Sequence, residues 1–168
     1  EEQESAVKQI NGSLDRRKEN VFLLKGGTGS GKTEVYMHAV EHALAQGRSA
    51  IVLVPEIALA MQMEKRFQNR FGAENVAILH SKLTTSKRLE NWLRIREGSA
   101  KVILGARTAI FAPVTDLGLV VIDEEHESTY KSDHNPKYET MDVAYKRAGT
   151  FGATVVLGSA TPSVVSFY

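Results

Sequence analysis

The chain contains no cysteine, which removes disulfide staples, thiolate zinc sites and cysteine nucleophiles from the available chemistries. That absence is compatible with a reducing cytoplasm. An excess of charge of either sign is also missing: 21 Lys and Arg stand against 20 Asp and Glu, a net charge of +1. No global field marks a nucleic-acid binder, so any such role must rest on local patches. No apolar run approaches the ~20 residues that a membrane helix needs, and no membrane partner is expected. Internal repeats and low-complexity tracts are absent as well. What remains is a chain of 168 residues, 42% hydrophobic, a size suited to one domain with an ample core. It opens on Glu1 rather than methionine, so residues 1–168 are expected to be a single domain taken from a longer protein.

Strand-like apolar runs recur at Val21 to Leu24, Ala50 to Val54, Val76 to Leu79, Val102 to Leu104, Leu119 to Ile122 and Thr154 to Leu157. They are nearly continuous rather than alternating in polarity, the signature of strands covered on both faces. Helical spacing fills most of the intervals: Glu4 to Ile10, Lys32 to Gln46, Ile57 to Phe71, Ser86 to Glu97 and Thr140 to Gly149, with Gly47, Gly72 and Gly98 as stops. This alternation predicts an α/β three-layer sandwich, a mostly parallel sheet with helices on both faces. One segment breaks the pattern, the polar stretch Glu127 to Glu139, which reads as a long loop.

Residues Gly26 to Thr33 read GGTGSGKT, directly after the first apolar run and directly before a helical pattern. This is the spacing of a phosphate-binding loop. Glycines let successive backbone N–H groups curl round a phosphate, and the following helix turns its positive end to the anion. Gly26, Gly27, Thr28, Gly29, Ser30, Gly31, Lys32 and Thr33 would hold ATP, with Lys32 on the β- and γ-phosphates and the Thr33 hydroxyl on Mg²⁺. The bland reading is a glycine-rich turn linking strand to helix. A second cluster, Asp123-Glu124-Glu125-His126, ends another apolar run, where α/β folds place ligands. Asp123 would hold Mg²⁺ partly through water, and Glu124 would orient or deprotonate the attacking water. Here the bland reading is a solvated acidic turn.

The polar stretch carries Tyr130, Lys131, Lys137 and Tyr138. Single strands are gripped by basic groups near phosphates and by aromatic faces on which bases stack, so these four could bind DNA. They could equally belong to an ordinary surface loop with its tyrosines folded back. Arg107, near a strand end, could meet a DNA phosphate or pair with Asp116. His80 reads as a satisfied strand-end residue, and Lys87, Arg88 and Lys101 as water-facing charges.

Together with the phosphate loop, DEEH resembles the DExH signature of superfamily-two helicases. Gly158-Ser159-Ala160-Thr161-Pro162 is similar to their S-A-T motif, and Leu53 to Leu59 and Gly105 to Pro113 are similar to the strand-end motifs that touch a single strand. GSGKTEVY, VPEIALA, GARTAIFAP, DEEH with YKSDHNPKY behind it, and GSATPS resemble in order the primosomal replication-restart helicases of that superfamily. The resemblance implies a RecA-like first motor lobe of a bacterial cytoplasmic DNA helicase moving 3′ to 5′. It implies ATP and Mg²⁺ as cofactors, no zinc in this segment, and single-stranded and forked DNA as ligands. A second motor lobe, other primosome proteins and single-strand-binding protein are the implied partners. Gln3 resembles the adenine-reading glutamine of helicases, though it also suits a helix start. His126 is expected to relay towards Ser159 or Thr161 rather than to ligate a metal, because no second histidine lies at ligand spacing. Two departures stand out: Gly27 replaces a common valine, and Met141 replaces a common arginine. The competing readings are another superfamily-two translocase on RNA or DNA, and a small-molecule kinase or nucleotide-gated switch.

Overall fold

A computed structural model describes residues 1–27 and 29–161. Among the described residues, β1 (Asn20–Lys25), β2 (Ser49–Leu53), β3 (Val76–Leu79), β4 (Val102–Gly105), β5 (Leu117–Ile122) and β8 (Thr154–Ser159) form one sheet. Its order is β1-β8-β5-β2-β4-β3, and every pairing is parallel. A small antiparallel pair, β6 (Lys131–Ser132) and β7 (Tyr138–Glu139), lies apart from it. The helices are α1 (Glu2–Arg16), α2 (Lys32–Ala45), α3 (Ile57–Phe71), α4 (Thr85–Arg96) and α5 (Thr140–Phe151).

The three layers follow from the strands' two-residue period. Ala50, Val52 and Val54 point to one face, where Leu14 of α1, Val40 of α2 and Phe67 of α3 cover them. Ile51 and Leu53 point to the other, packed with Ile95 of α4, Ala144 of α5 and the 3-10 turn Arg107–Phe111. Both faces are therefore dry, which is why the strand sequences are uninterrupted apolar runs. β1 is the exception. At the sheet's margin it is only half-buried, with Val21 43% exposed, although its sequence reads like that of a central strand.

The expected sandwich is present, with two differences in detail. α1 runs on past Ile10 to Arg16, through Gly12 and Ser13, which look like breakers in sequence. Ser13 is turned inward and shares a 3.0 Å hydroxyl hydrogen bond with Thr154 of β8, while Leu14 seals the core. Tertiary contact overrides local propensity here. The second difference is the stretch 127–139, which is folded rather than a plain loop: a 3-10 turn at Ser128–Tyr130 leads into the β6–β7 pair.

At the end of the sheet remote from the phosphate loop, Arg48 is 1% exposed and ties several segments together. Its Nη2 donates to the carbonyls of Leu117 at 2.6 Å and Phe151 at 2.8 Å, and its Nε lies 3.3 Å from Asp116 Oδ1. Asp116 is therefore the partner of Arg48, and the suggested pairing with Arg107 is corrected. Lys101 is half-buried and donates to Gly47 O at 3.1 Å, also correcting its reading as a free surface charge.

Candidate nucleotide site and its neighbouring edge

β1 delivers the chain to the phosphate loop, whose first amide, Gly26 N, donates to Ser159 O of β8 at 3.1 Å. Gly31 then caps α2 with φ +85°, a left-handed conformation that suits glycine. A Cβ at Gly31 would also sit 2.1 Å from Gln3 Nε2. Gln3 reaches this point from α1 and donates to Ser30 O at 2.8 Å. The N-terminal amides of α2 thus open onto a cavity of about 360 Å³ lined by Gly27, Gly29, Ser30, Gly31, Lys32, Thr33, Glu34, Arg66, Asp123 and Glu124. Thr28 and Pro162 lie outside the described residues. A larger groove of about 760 Å³ between α1 and α2 shares Glu34 with this cavity and holds neither member of the acid pair.

Lys32 Nζ donates to Gly26 O at 2.5 Å and stands 3.5 Å from Glu124 Oε1. The loop's cation and the acid cluster therefore face one another across the cavity, although 92 positions separate them in the chain. Glu124 itself has φ +49°. A left-handed non-glycine residue costs about 1 kcal/mol or more and is concentrated at functional sites.

Asp123 is held from both sides of the sheet. Its amide donates to Leu53 O at 2.9 Å, and its Oδ1 accepts from the Tyr36 hydroxyl of α2 at 2.7 Å. From the other face, the Tyr130 hydroxyl donates to its carbonyl oxygen. Burial raises the Asp123 carboxyl above the ordinary carboxylate range, opposed by the Tyr36 hydrogen bond and reinforced by the neighbouring Glu124 charge. Burial, with Asp123 beside it, also pushes the Tyr36 phenol well above its ordinary value, so it remains a donor.

Further along the edge, His126 Nδ1 lies 3.0 Å from Ser159 Oγ, and Thr161 N donates to the same oxygen at 3.1 Å. The expected neighbours are together, but Thr161 joins through its backbone amide rather than its hydroxyl. His126 Nδ1 is also 3.7 Å from Glu124 Oε2. His80 is buried and accepts from Lys82 N through Nδ1, with burial lowering its pKa.

The expected strand-binding residues divide. Tyr130 is 3% exposed, so its ring is not offered to a base; the expectation of a stacking face there is corrected. Its hydroxyl finds the carbonyls at the ends of β2 and β5, which explains why the ring turns inward. Arg107 Nη1 donates to Thr129 O at 3.2 Å and Lys131 O at 2.6 Å, the residues on either side of Tyr130. Lys131 and Lys137 are exposed, with Lys131 Nζ 3.5 Å from Glu139. Tyr138 packs edge-on against Phe111, ring centroids 5.0 Å apart, and Phe111 is 47% exposed. Met141 is half-buried against the second core face. Tyr36, Gly158 and Phe111 fall within the sequence motifs, but the sequence alone assigns them no role of their own. A polar tip within the otherwise apolar face of α2 was the one available signal for Tyr36.

Among the described residues no group of three or more His, Asp or Glu side chains could cage a metal. Mg²⁺ suits such a place, because it takes one or two protein oxygens and completes its shell with water and phosphate. Thr33 and Asp123 line one cavity, and the Tyr36 bond to Oδ1 leaves the second Asp123 oxygen for that task.

A parallel sheet that sets a phosphate loop after β1 and an acid pair after β5, with only β8 between them, has the architecture of a helicase motor lobe. Residues 1–167 match the DEAD/DEAH box helicase family, and the chain belongs to it. Over 167 residues it is 49% identical to Replication restart protein PriA of Bacillus subtilis (strain 168), covering 99% of this chain and 21% of that protein. It is 48% identical over 167 residues to Replication restart protein PriA of Treponema pallidum (strain Nichols), covering 99% and 25% respectively. In shape it is similar to RecG bound to a three-way DNA junction, with TM-score 0.68 and 27% identity over 97% of this chain and 21% of that one. The chain thus spans about a fifth to a quarter of the relatives' length. No helix of the described residues is long and apolar enough to cross a membrane.

Proposed function

We propose that this chain is the ATP-hydrolysing first lobe of a 3′-to-5′ DNA helicase that restarts stalled replication forks. The observation that carries the reading is the meeting of Lys32 and Glu124, 3.5 Å apart, at a cavity lined by phosphate-loop residues. The relatives' names, Replication restart protein, and the junction held by RecG point to forked DNA as ligand. Polarity, and partnership with primosome proteins, single-strand-binding protein and a second motor lobe in a bacterial cytoplasm, rest on the family resemblance.

In this reading the amides of Gly27 and of Gly29 to Thr33 cradle the phosphates, and Lys32 exchanges the Gly26 carbonyl for a phosphate oxygen. Gln3, which donates to Ser30 O at 2.8 Å, would read the adenine edge. Thr33 and Asp123 would hold Mg²⁺, whose charge would offset that developing on the transferred phosphoryl group. Glu124 orients the attacking water or takes its proton. Arginines of a second lobe would complete the stabilisation of charge on the γ-phosphate, as composite motors require.

Strand engagement reaches this site by a short path. Arg107 holds the carbonyls flanking Tyr130, and Tyr130 holds the carbonyl of Asp123. A DNA phosphate that draws Arg107 away frees that turn and lets the acid shift. His126, Ser159 and Thr161 form the second link. Lys131 and Lys137 meet the backbone, while Tyr138 with Phe111 provides the aromatic surface that Tyr130 does not. ATP turnover by the intact protein, measured with and without single-stranded DNA, tests this: DNA should stimulate it severalfold, and indifference to DNA would remove the motor reading.

A further inference from the structure

Tyr36 has no task in the phosphate loop or the acid pair, yet its hydroxyl is joined to the acid. We propose that Tyr36 is a positioning residue for Asp123: by fixing Oδ1, it decides which carboxylate oxygen is presented to Mg²⁺. The inference rests on the reading of Asp123 as the metal-holding acid.

Three observations converge on it. Tyr36 lies one turn beyond Thr33 on α2 and is 0% exposed. The other buried residues of α2, Val35, Met37, Ala39, Val40 and Ala43, are all apolar, and packing among them asks for no more than a phenylalanine at this position. A buried hydroxyl is costly unless it is hydrogen-bonded, so its presence needs a partner of matching position. That partner is Asp123 Oδ1, 2.7 Å away and 87 positions along the chain. The third observation is Gly158 of β8. A Cβ there would fall 1.6 Å from the Tyr36 hydroxyl and 3.0 Å from Asp123 Oδ1. The hydroxyl reaches the acid only because residue 158 has no side chain, and Gly158 is not held to glycine by its φ. Helix, acid strand and neighbouring strand are thus shaped round one hydrogen bond. Such a bond restrains rotation of the carboxylate and leaves its second oxygen turned to the cavity, as partners of metal ligands do elsewhere.

The test uses Tyr36→Phe in the intact protein, with Mn²⁺ as the probe ion and ADP bound. Binding of Mn²⁺ is followed by electron paramagnetic resonance, and ADP affinity is measured separately in EDTA. Positioning predicts Mn²⁺ binding weakened roughly tenfold, the low end for partners of metal ligands. ADP affinity in EDTA should be unchanged, and Tyr36→Phe should add nothing further in an Asp123→Asn background. Unchanged Mn²⁺ binding, or an equal loss of ADP affinity in EDTA, overturns the inference while leaving Asp123 in place. If Asp123→Asn itself leaves Mn²⁺ binding intact, the metal reading of Asp123 fails and the inference falls with it.

Discussion

Replacing Gly158 with alanine adds one methyl group to the most crowded point of the nucleotide edge. The new Cβ would lie 1.6 Å from the Tyr36 hydroxyl, 2.9 Å from its Cζ and 3.0 Å from Asp123 Oδ1. Tyr36 is fully enclosed and cannot swing to solvent. Either the ring moves by more than 1 Å, as an ordinary contact demands, or β8 separates from it. Overpacking of this kind costs about 1 to 3 kcal/mol. Displacing the hydroxyl from the carboxylate costs about 1.5 kcal/mol more, the lower range for a hydrogen bond to a charged group. The sum, about 2.5 to 4.5 kcal/mol, should lower the unfolding midpoint of a unit this size by roughly 5 to 18 °C. Calorimetric unfolding of the protein reads that shift, and ATP turnover should fall with it. The decisive arm is the double variant. Tyr36→Phe removes the atom at 1.6 Å, so in the Ala-bearing background it should restore part of the lost stability, whereas alone it should cost stability. An unaltered midpoint for Gly158→Ala, or no recovery in the double variant, would refute the steric reasoning.

Tyr130→Phe keeps the buried ring but removes the hydroxyl from the Asp123 carbonyl. Stimulation of ATP turnover by single-stranded DNA should drop severalfold while basal turnover changes less, as read by a coupled ATPase assay; an equal loss in both would point to damaged folding. Asp123→Asn addresses the buried acid. Because burial raises the folded-state pKa of Asp123, ionisation opposes folding: stability from this group is full below its ordinary pKa and is lost as pH rises through the raised one. The asparagine variant should therefore melt higher than the parent protein near pH 7 without nucleotide, with the gain shrinking as pH falls through the carboxylate range. A constant gain across that range would contradict the assignment.

The sheet was legible because its strands are dry on both faces, leaving continuous runs such as Leu119 to Ile122 that no surface strand would carry. The phosphate loop and acid pair were legible because their chemistry requires certain residue types at fixed spacing after a strand. Orientation was harder to read. Tyr130 and Tyr138 sit in the same polar stretch, yet one is enclosed and the other half-buried beside Phe111. The difference depends on the carbonyls of Leu53 and Asp123, which only the folded sheet brings near. The partner of Tyr36 is likewise a long-range matter, settled by the clearance at Gly158. Helix α1 outran its apparent stop because Ser13 found Thr154.

Hydrolysis of ATP by the intact protein carrying Lys32→Ala, assayed with saturating single-stranded DNA, bears most directly on the central claim. Lys32 is the cation that faces Glu124 across the phosphate-loop cavity. A loss of about 100-fold or more in turnover is expected, the scale for removing a group that stabilises transition-state charge. Turnover at the parent rate would contradict the claim that ATP is cleaved at this edge of the sheet.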